Sequence, residues 1–281
     1  MVVFLQPPFF CIRKLICINT FGTLSQIICA SQYPGAPMLQ QHYINDESGT
    51  NGNGRDPRLL EGVLASLPLF HRVARPQIDT VASFSRVRQV RRGTVLCRRG
   101  ERLPGVIAVG FGIMKLALRR HDDEEKVVCF LNANETFGEC SVLLDRPCPV
   151  DVVALDDSLI AEIPAAPLHR LMEIDPRFAG NVVRSMAGKF LDLLAELESS
   201  LQQSALQRLA AYLGSLAVAN GTPHTWAVRL PASKTAVAAR LGITKETMSR
   251  SLRELANRGL IAVAQREIEV RDLPALRQVA R

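Results

Sequence analysis

The 281-residue chain is 47% apolar and 22% charged, with a formal net charge of +7; that length suits roughly two packed domains. No run of about 18 apolar residues occurs, so a transmembrane helix is not expected. The seven cysteines (Cys11, Cys17, Cys29, Cys97, Cys129, Cys140 and Cys148) are odd in number and none has CxxC spacing, which argues against zinc-finger and thioredoxin frameworks and fits reduced thiols in a cytoplasmic protein, several packed as small hydrophobes.

Residues 1–37 are apolar and broken by Pro7, Pro8 and Pro34, and Arg13 and Lys14 follow the first apolar run instead of preceding it. That order reads poorly as a secretory signal. Met38 opens a more polar start, so residues 1–37 are expected to be a mis-called extension or a disordered tail. Residues 46–56, DESGTNGNGRD, read as a flexible linker. The stretch 1–56 is therefore set apart from the folded body.

Residues 57–174 carry short apolar runs of strand length separated by turn signals. Gly93 and Gly100 bracket a short strand in RVRQVRRGTVLCRRGE. GVIAVGFGIMKLALRR alternates Met114, Leu116 and Leu118 with Ile113, Lys115 and Ala117 after two glycines that would kink a strand. HDDEE reads as a hairpin tip, KVVCFL as the return strand, and DVVAL and LIAEIP follow. Many short strands at regular spacing predict an antiparallel sandwich or barrel.

The pattern changes at Asp175-Pro176, where proline suits a first helical turn. Val182, Met186, Phe190, Leu193, Leu197 and Leu201 then form a heptad-like seam over residues 175–203. Such a seam either packs on the chain's own β-domain or pairs two copies; its regularity favours self-association through Val182, Met186, Phe190, Leu193 and Leu197.

Residues 204–281 begin with a second amphipathic helix, ALQRLAAYLGSLA, expected to end at Asn220-Gly221. TWAVRLPA is a short strand turning at Pro231. Ser233 can cap KTAVAARL, Gly242 ends that helix, Ile243 is buried in the turn and Thr244 can cap the next helix. This is helix, tight glycine turn, helix. GLIAVAQREIEVRD adds two short strands joined near Gln265-Arg266, as in a wing.

Charge singles out the same region. From Ala205 onward there are 12 Lys/Arg against 5 Asp/Glu, while the preceding residues balance. The whole +7 excess therefore sits in the last quarter, as for a domain that meets a polyanion, nucleic acid being the simplest. In the helix opened by Lys245, residues Glu246, Ser249 and Arg250 share one face and Met248, Leu252 and Leu255 occupy the other. Arginine can donate two hydrogen bonds to guanine, glutamate can accept from a cytosine amino group, and serine can reach a base or a phosphate. The alternative for Glu246 is an acidic residue answering the helix dipole; an anion that faces phosphates is better explained if it reads a base. Ser233, Lys234, Thr244 and Lys245 lie at helix starts, where hydroxyls, ammonium groups and backbone N–H groups can hold phosphates. Cys140 beside Glu139 has no evident histidine partner, and no phosphate loop or metal motif appears, so an enzyme is not expected.

With PLF near the start, the glycine-punctuated strands, FGECSVLLDRP (137–147), AEIP, the helix after DPRF and LGITKETMSRSLRELANRGLI in that order, the chain resembles the CRP/FNR family of bacterial transcription regulators from about Leu67 onward. The resemblance implies an α+β fold: a double-stranded β-helix, or jelly roll, of the cyclic-nucleotide-binding type, then a dimerisation helix, then a C-terminal winged helix-turn-helix. It further implies a homodimer on a two-fold symmetric DNA site, with RNA polymerase as a partner. ETMSR looks like the E-x-x-S-R pattern of the FNR branch, which favours TTGAT-like half-sites; the CRP branch would have arginine and glycine where Lys245 and Ser249 stand.

By the same resemblance the effector pocket falls at Gly138, Glu139, Arg146, Leu193 and Leu194. In cyclic-AMP-binding relatives a Gly-Glu pair holds the ribose and a later Arg-Ser pair the phosphate. Here the later pair is Pro149-Val150, and the adenine positions are Leu193 and Leu194, so cyclic AMP is disfavoured and a small-molecule or redox effector stays unidentified. The iron–sulfur cluster of oxygen-sensing relatives is not expected, because Cys11, Cys17 and Cys29 are widely spaced and Ala161 precedes EIP. His71 and His169 are candidate haem ligands, each more often a surface histidine. Redox sensing could fall on Cys97, Cys129, Cys140 or Cys148, although buried structural thiols are the commoner case. A reading from another class is a sensor acting through protein contacts, with no specific DNA reading.

Overall fold

A computed structural model describes residues 57–119, 125–219, 225–265 and 267–281. The N-terminal extension with Cys11, Cys17 and Cys29, most of the HDDEE tip, Asn220-Gly221 and Arg266 lie outside the described residues.

Helices α1 (Pro57–Ser66) and α2 (Arg75–Phe84) lead into eight strands: β1 (Arg86–Val90), β2 (Val95–Cys97), β3 (Gly105–Phe111), β4 (Met114–Arg119), β5 (Glu125–Leu131), β6 (Thr136–Phe137), β7 (Asp151–Ala154) and β8 (Ser158–Pro164). The short helix α3 (Glu139–Leu143) lies between β6 and β7. The strands form two antiparallel sheets, β1-β8-β3-β6 and β2-β7-β4-β5. Val90, Ile107, Val109, Met114, Leu116, Leu131, Val152 and Ile160, drawn from both sheets, fill one core. This is the expected roll: period-two strands bury one face of each sheet against the other.

Two details depart from simple alternation. Ala117 is buried along with Leu116, at the point where the β4–β5 register shifts and Val128 of β5 is left as the extra, unpaired residue of a bulge. Gly112 has φ 92, and a Cβ there would overlap the Ser158 hydroxyl. The β3–β4 corner therefore needs glycine both for backbone sign and for space.

Helix α4 (Ala165–Ile174) is followed by the 27-residue α5 (Pro176–Gln202), capped by Asp175, whose carboxylate accepts from Arg177 N–H. The remainder comprises α6 (Ala205–Leu216), β9 (Val218–Ala219), β10 (Trp226–Arg229), α7 (Lys234–Leu241), α8 (Lys245–Asn257), β11 (Ile261–Ala264), β12 (Glu267–Val270) and α9 (Leu273–Val279). The third sheet, β11-β12-β10-β9, packs with these helices around a second core that includes Leu209, Leu213, Val237, Met248, Leu255, Ile268 and Leu276. Helix α6 stops at Leu216, short of the expected Asn220, because Val218 and Ala219 pair with Ala227 and Trp226 as an edge strand.

Helix α5 divides its apolar residues between two faces. Phe178 and Val182 are buried, with Phe178 against Phe70. Val183, Phe190, Leu191, Leu193, Leu194, Leu197 and Leu201 are exposed. Val182 thus serves packing within the protomer and is not available to a partner, contrary to the sequence expectation. Met186 is half-buried.

Candidate nucleic-acid interface

The placement of helix α8 against α7 is set by a turn of three residues. Gly242 has φ 64, its N–H and that of Ile243 donate to Ala239 and Ala238 carbonyls, and helix α7 closes there. Two residues on, the Thr244 hydroxyl accepts from Thr247 N–H at 3.2 Å and opens α8. Ser233 does the same for α7, accepting from Ala236 N–H at 3.2 Å.

Along α8, Met248, Ser251, Leu252 and Leu255 are buried, while Lys245, Glu246, Ser249 and Arg250 are exposed. Glu246, Ser249 and Arg250 fall within one turn on the outward face. The Glu246 carboxyl is held below its ordinary range by its own backbone N–H, by the Thr244 hydroxyl, and by the Lys245 and Arg250 charges. It is therefore an ionised acceptor that already answers the helix N-terminus. Arg250 makes one long contact to the Thr247 hydroxyl, 3.4 Å.

Arg253 was missed by motif reasoning, which stops at the first turns. It lies on the same face as Glu246 and Arg250, and with Lys234, Ser249, Leu252, Ala256 and Val263 it lines a groove between α8, the start of α7 and the wing strand β11. The helical period is the signal that would have found it. Ser233 and Thr244 are exposed and Lys234 is half-buried at the head of α7.

The expected effector residues are only partly brought together. Glu139, at the start of α3, is buried, accepts from the Thr136 hydroxyl, and pairs with Lys189 Nζ of α5 at 2.6 Å. Lys189 also donates to the Thr136 carbonyl at 2.7 Å. A buried carboxylate needs such partners, and here the protein supplies them itself. Gly138 precedes α3. Arg146, Leu193 and Leu194 are exposed, and the α5 group that Glu139 meets is Lys189, one turn before Leu193. His71 and His169 are exposed on separate segments. Cys140 is exposed, whereas Cys97 and Cys148 are buried in the roll core. Among the described residues no helix is long and apolar enough to cross a membrane.

A β-roll followed by a long helix and a winged helix-turn-helix defines a two-part protein with a DNA-binding head. Residues 87–175 match the cyclic nucleotide-binding domain and residues 207–279 the Crp-like helix-turn-helix domain. The transcriptional regulatory protein btr of Bordetella pertussis is 31% identical over 202 residues, covering 68% of this chain and 79% of that protein. The cyclic AMP receptor protein of Thermus thermophilus is 25% identical over 76% of this chain and 96% of its own length. The structure of FixK2 from Bradyrhizobium japonicum superposes with a TM-score of 0.62 at 20% identity, covering 70% of this chain and 98% of that one. The chain belongs to the CRP/FNR family of transcription regulators, a family of non-enzymatic DNA-binding proteins.

Proposed function

We propose that the protein is a homodimeric, sequence-specific regulator that reads a two-fold symmetric TTGAT-like site. In this reading Glu246, Ser249 and Arg250 contact bases, and Ser233, Lys234, Thr244, Lys245 and Arg253 contact phosphates. One observation carries it: a capped helix with its apolar face wholly buried presents an acceptor and a bidentate donor, unburied and one turn apart, at its leading end. The Lys189–Glu139 pair supports an effector other than cyclic AMP, since the acid that would hold a ribose is already engaged. RNA polymerase and a cytoplasmic setting belong to the same proposal.

The partner surface is the exposed stripe of α5. Val183, Ala187, Phe190, Leu194, Leu197 and Leu201 repeat at heptad spacing, and such a stripe on a two-stranded coil pairs with its own copy. It keeps Phe190 and Leu197 of the sequence-derived seam, sets Leu193 at its margin, and replaces Val182 and Met186.

Binding to a TTGAT-N4-ATCAA duplex, followed by fluorescence anisotropy, tests the proposal. Arg250→Ala is expected to cost about 1–3 kcal/mol and to relax preference at its base. Unchanged affinity and preference would refute the assignment. Specific binding should also weaken steeply with salt through counterion release; a sensor that works only through protein contacts would show no such dependence.

A further inference from the structure

The two cores touch through one strand. Phe130 of β5 belongs to the roll, yet its side chain packs against the core of the C-terminal part. Four residues earlier on the same strand, Lys126 Nζ donates to the carbonyl of Arg240 at 2.7 Å and to Glu196 at 3.1 Å. Glu196 also pairs with the Arg240 guanidinium. All three side chains are one-third exposed or less. Three elements therefore meet at one ionic junction: sensor strand β5, long helix α5, and α7, the first helix of the reading motif.

The position of the ammonium is what matters. It donates to the Arg240 carbonyl in the last turn of α7, the negative end of that helix, where a cation is favoured. A Cβ placed on Gly242 would lie 3.3 Å from the same nitrogen. Lys126 thus abuts Gly242, two residues before Thr244, the cap of the reading helix α8. Glu196 is held in turn by its helix, which is tied to the sensor seven residues earlier through Lys189 and Glu139.

We infer that Lys126 is a positioning residue, fixing the angle of the reading helix relative to α5 by joining β5, Glu196 and the carbonyl end of α7. The inference rests on the two-headed reading proposed above. Each head would engage a single half-site whether or not it is pinned. Simultaneous engagement is different, because the second contact is intramolecular and its effective concentration depends on how well the head is held.

Lys126→Met keeps the apolar stem and removes the charge. It is expected to lower affinity for the paired TTGAT-N4-ATCAA duplex about tenfold while leaving affinity for a single TTGAT half-site within about twofold, a pattern set by effective concentration. Glu196→Gln should shift the same ratio in the same direction, and Lys126→Arg should restore it. A merely structural role would move both affinities together. The inference is overturned if the ratio is unchanged, if it rises, or if half-site affinity falls in parallel. Should the unaltered protein show no preference for the paired duplex, the two-headed reading fails with it; a preference that survives Lys126→Met overturns the positioning role alone.

Discussion

Arg250 and Arg253 stand three residues apart on one face of α8, in different surroundings. Arg250 sits beside Glu246 at the leading end of the helix and touches Thr247. Arg253 makes no ion pair among the described residues and borders a groove whose other cation is Lys234. A base reader and a phosphate holder give different signatures. Arg253→Ala should reduce the slope of log affinity against log salt by about 0.9, the increment for one phosphate on duplex DNA, and leave base preference intact; a salt titration of both variants checks this. The leading pair was legible in the sequence because cap, glycine and apolar stripe fix the start of the helix and the phase of its faces. Lys126 was not legible, since it meets Arg240 across 114 residues and nothing local marks it.

At the scale of elements, α5 shows what periodicity leaves open. A 27-residue helix with ten large apolar residues offers more than one seam, and Val182 and Val183 are adjacent in sequence but opposite in fate. Packing of the helix on residues 68–70, with Phe178 against Phe70, set which face turned inward, and the helix pattern alone could not decide it. The two faces predict opposite outcomes. Leu194→Glu should abolish self-association, seen as a halved mass in sedimentation, with little change in protomer stability. Val182→Ala should cost about 1–3 kcal/mol of folding stability, read from denaturant midpoints, by leaving a buried void. Strand β9 was illegible for a similar reason: two residues gain their conformation only from the neighbouring strand.

At the scale of the whole molecule, weak acids of raised pKa that are wholly or half buried set an alkaline limit. Burial pushes the Cys129 thiol up to about 11; burial, the neighbouring Cys148, Glu101 and Asp151 push Cys97 up to about 12; burial pushes Tyr212 up to about 12. Each value exceeds that of the unfolded chain, so the stabilisation is complete below about pH 9 and is lost as pH rises toward these folded values. The loss should approach about 1.4 kcal/mol per pH unit for Cys129 and for Tyr212 in their windows. Urea midpoints between pH 8 and pH 11 are expected to fall progressively, and Cys129→Ser should change the fall between pH 9 and pH 11.

Phe130 gives the architecture a practical corollary. The aromatic ring lent by the roll completes the hydrophobic interior of the DNA-binding head. A fragment cut after residue 203 would lose that ring, and the seat it fills would be opened to water. The excised head would be stickier and softer than its counterpart in the intact chain.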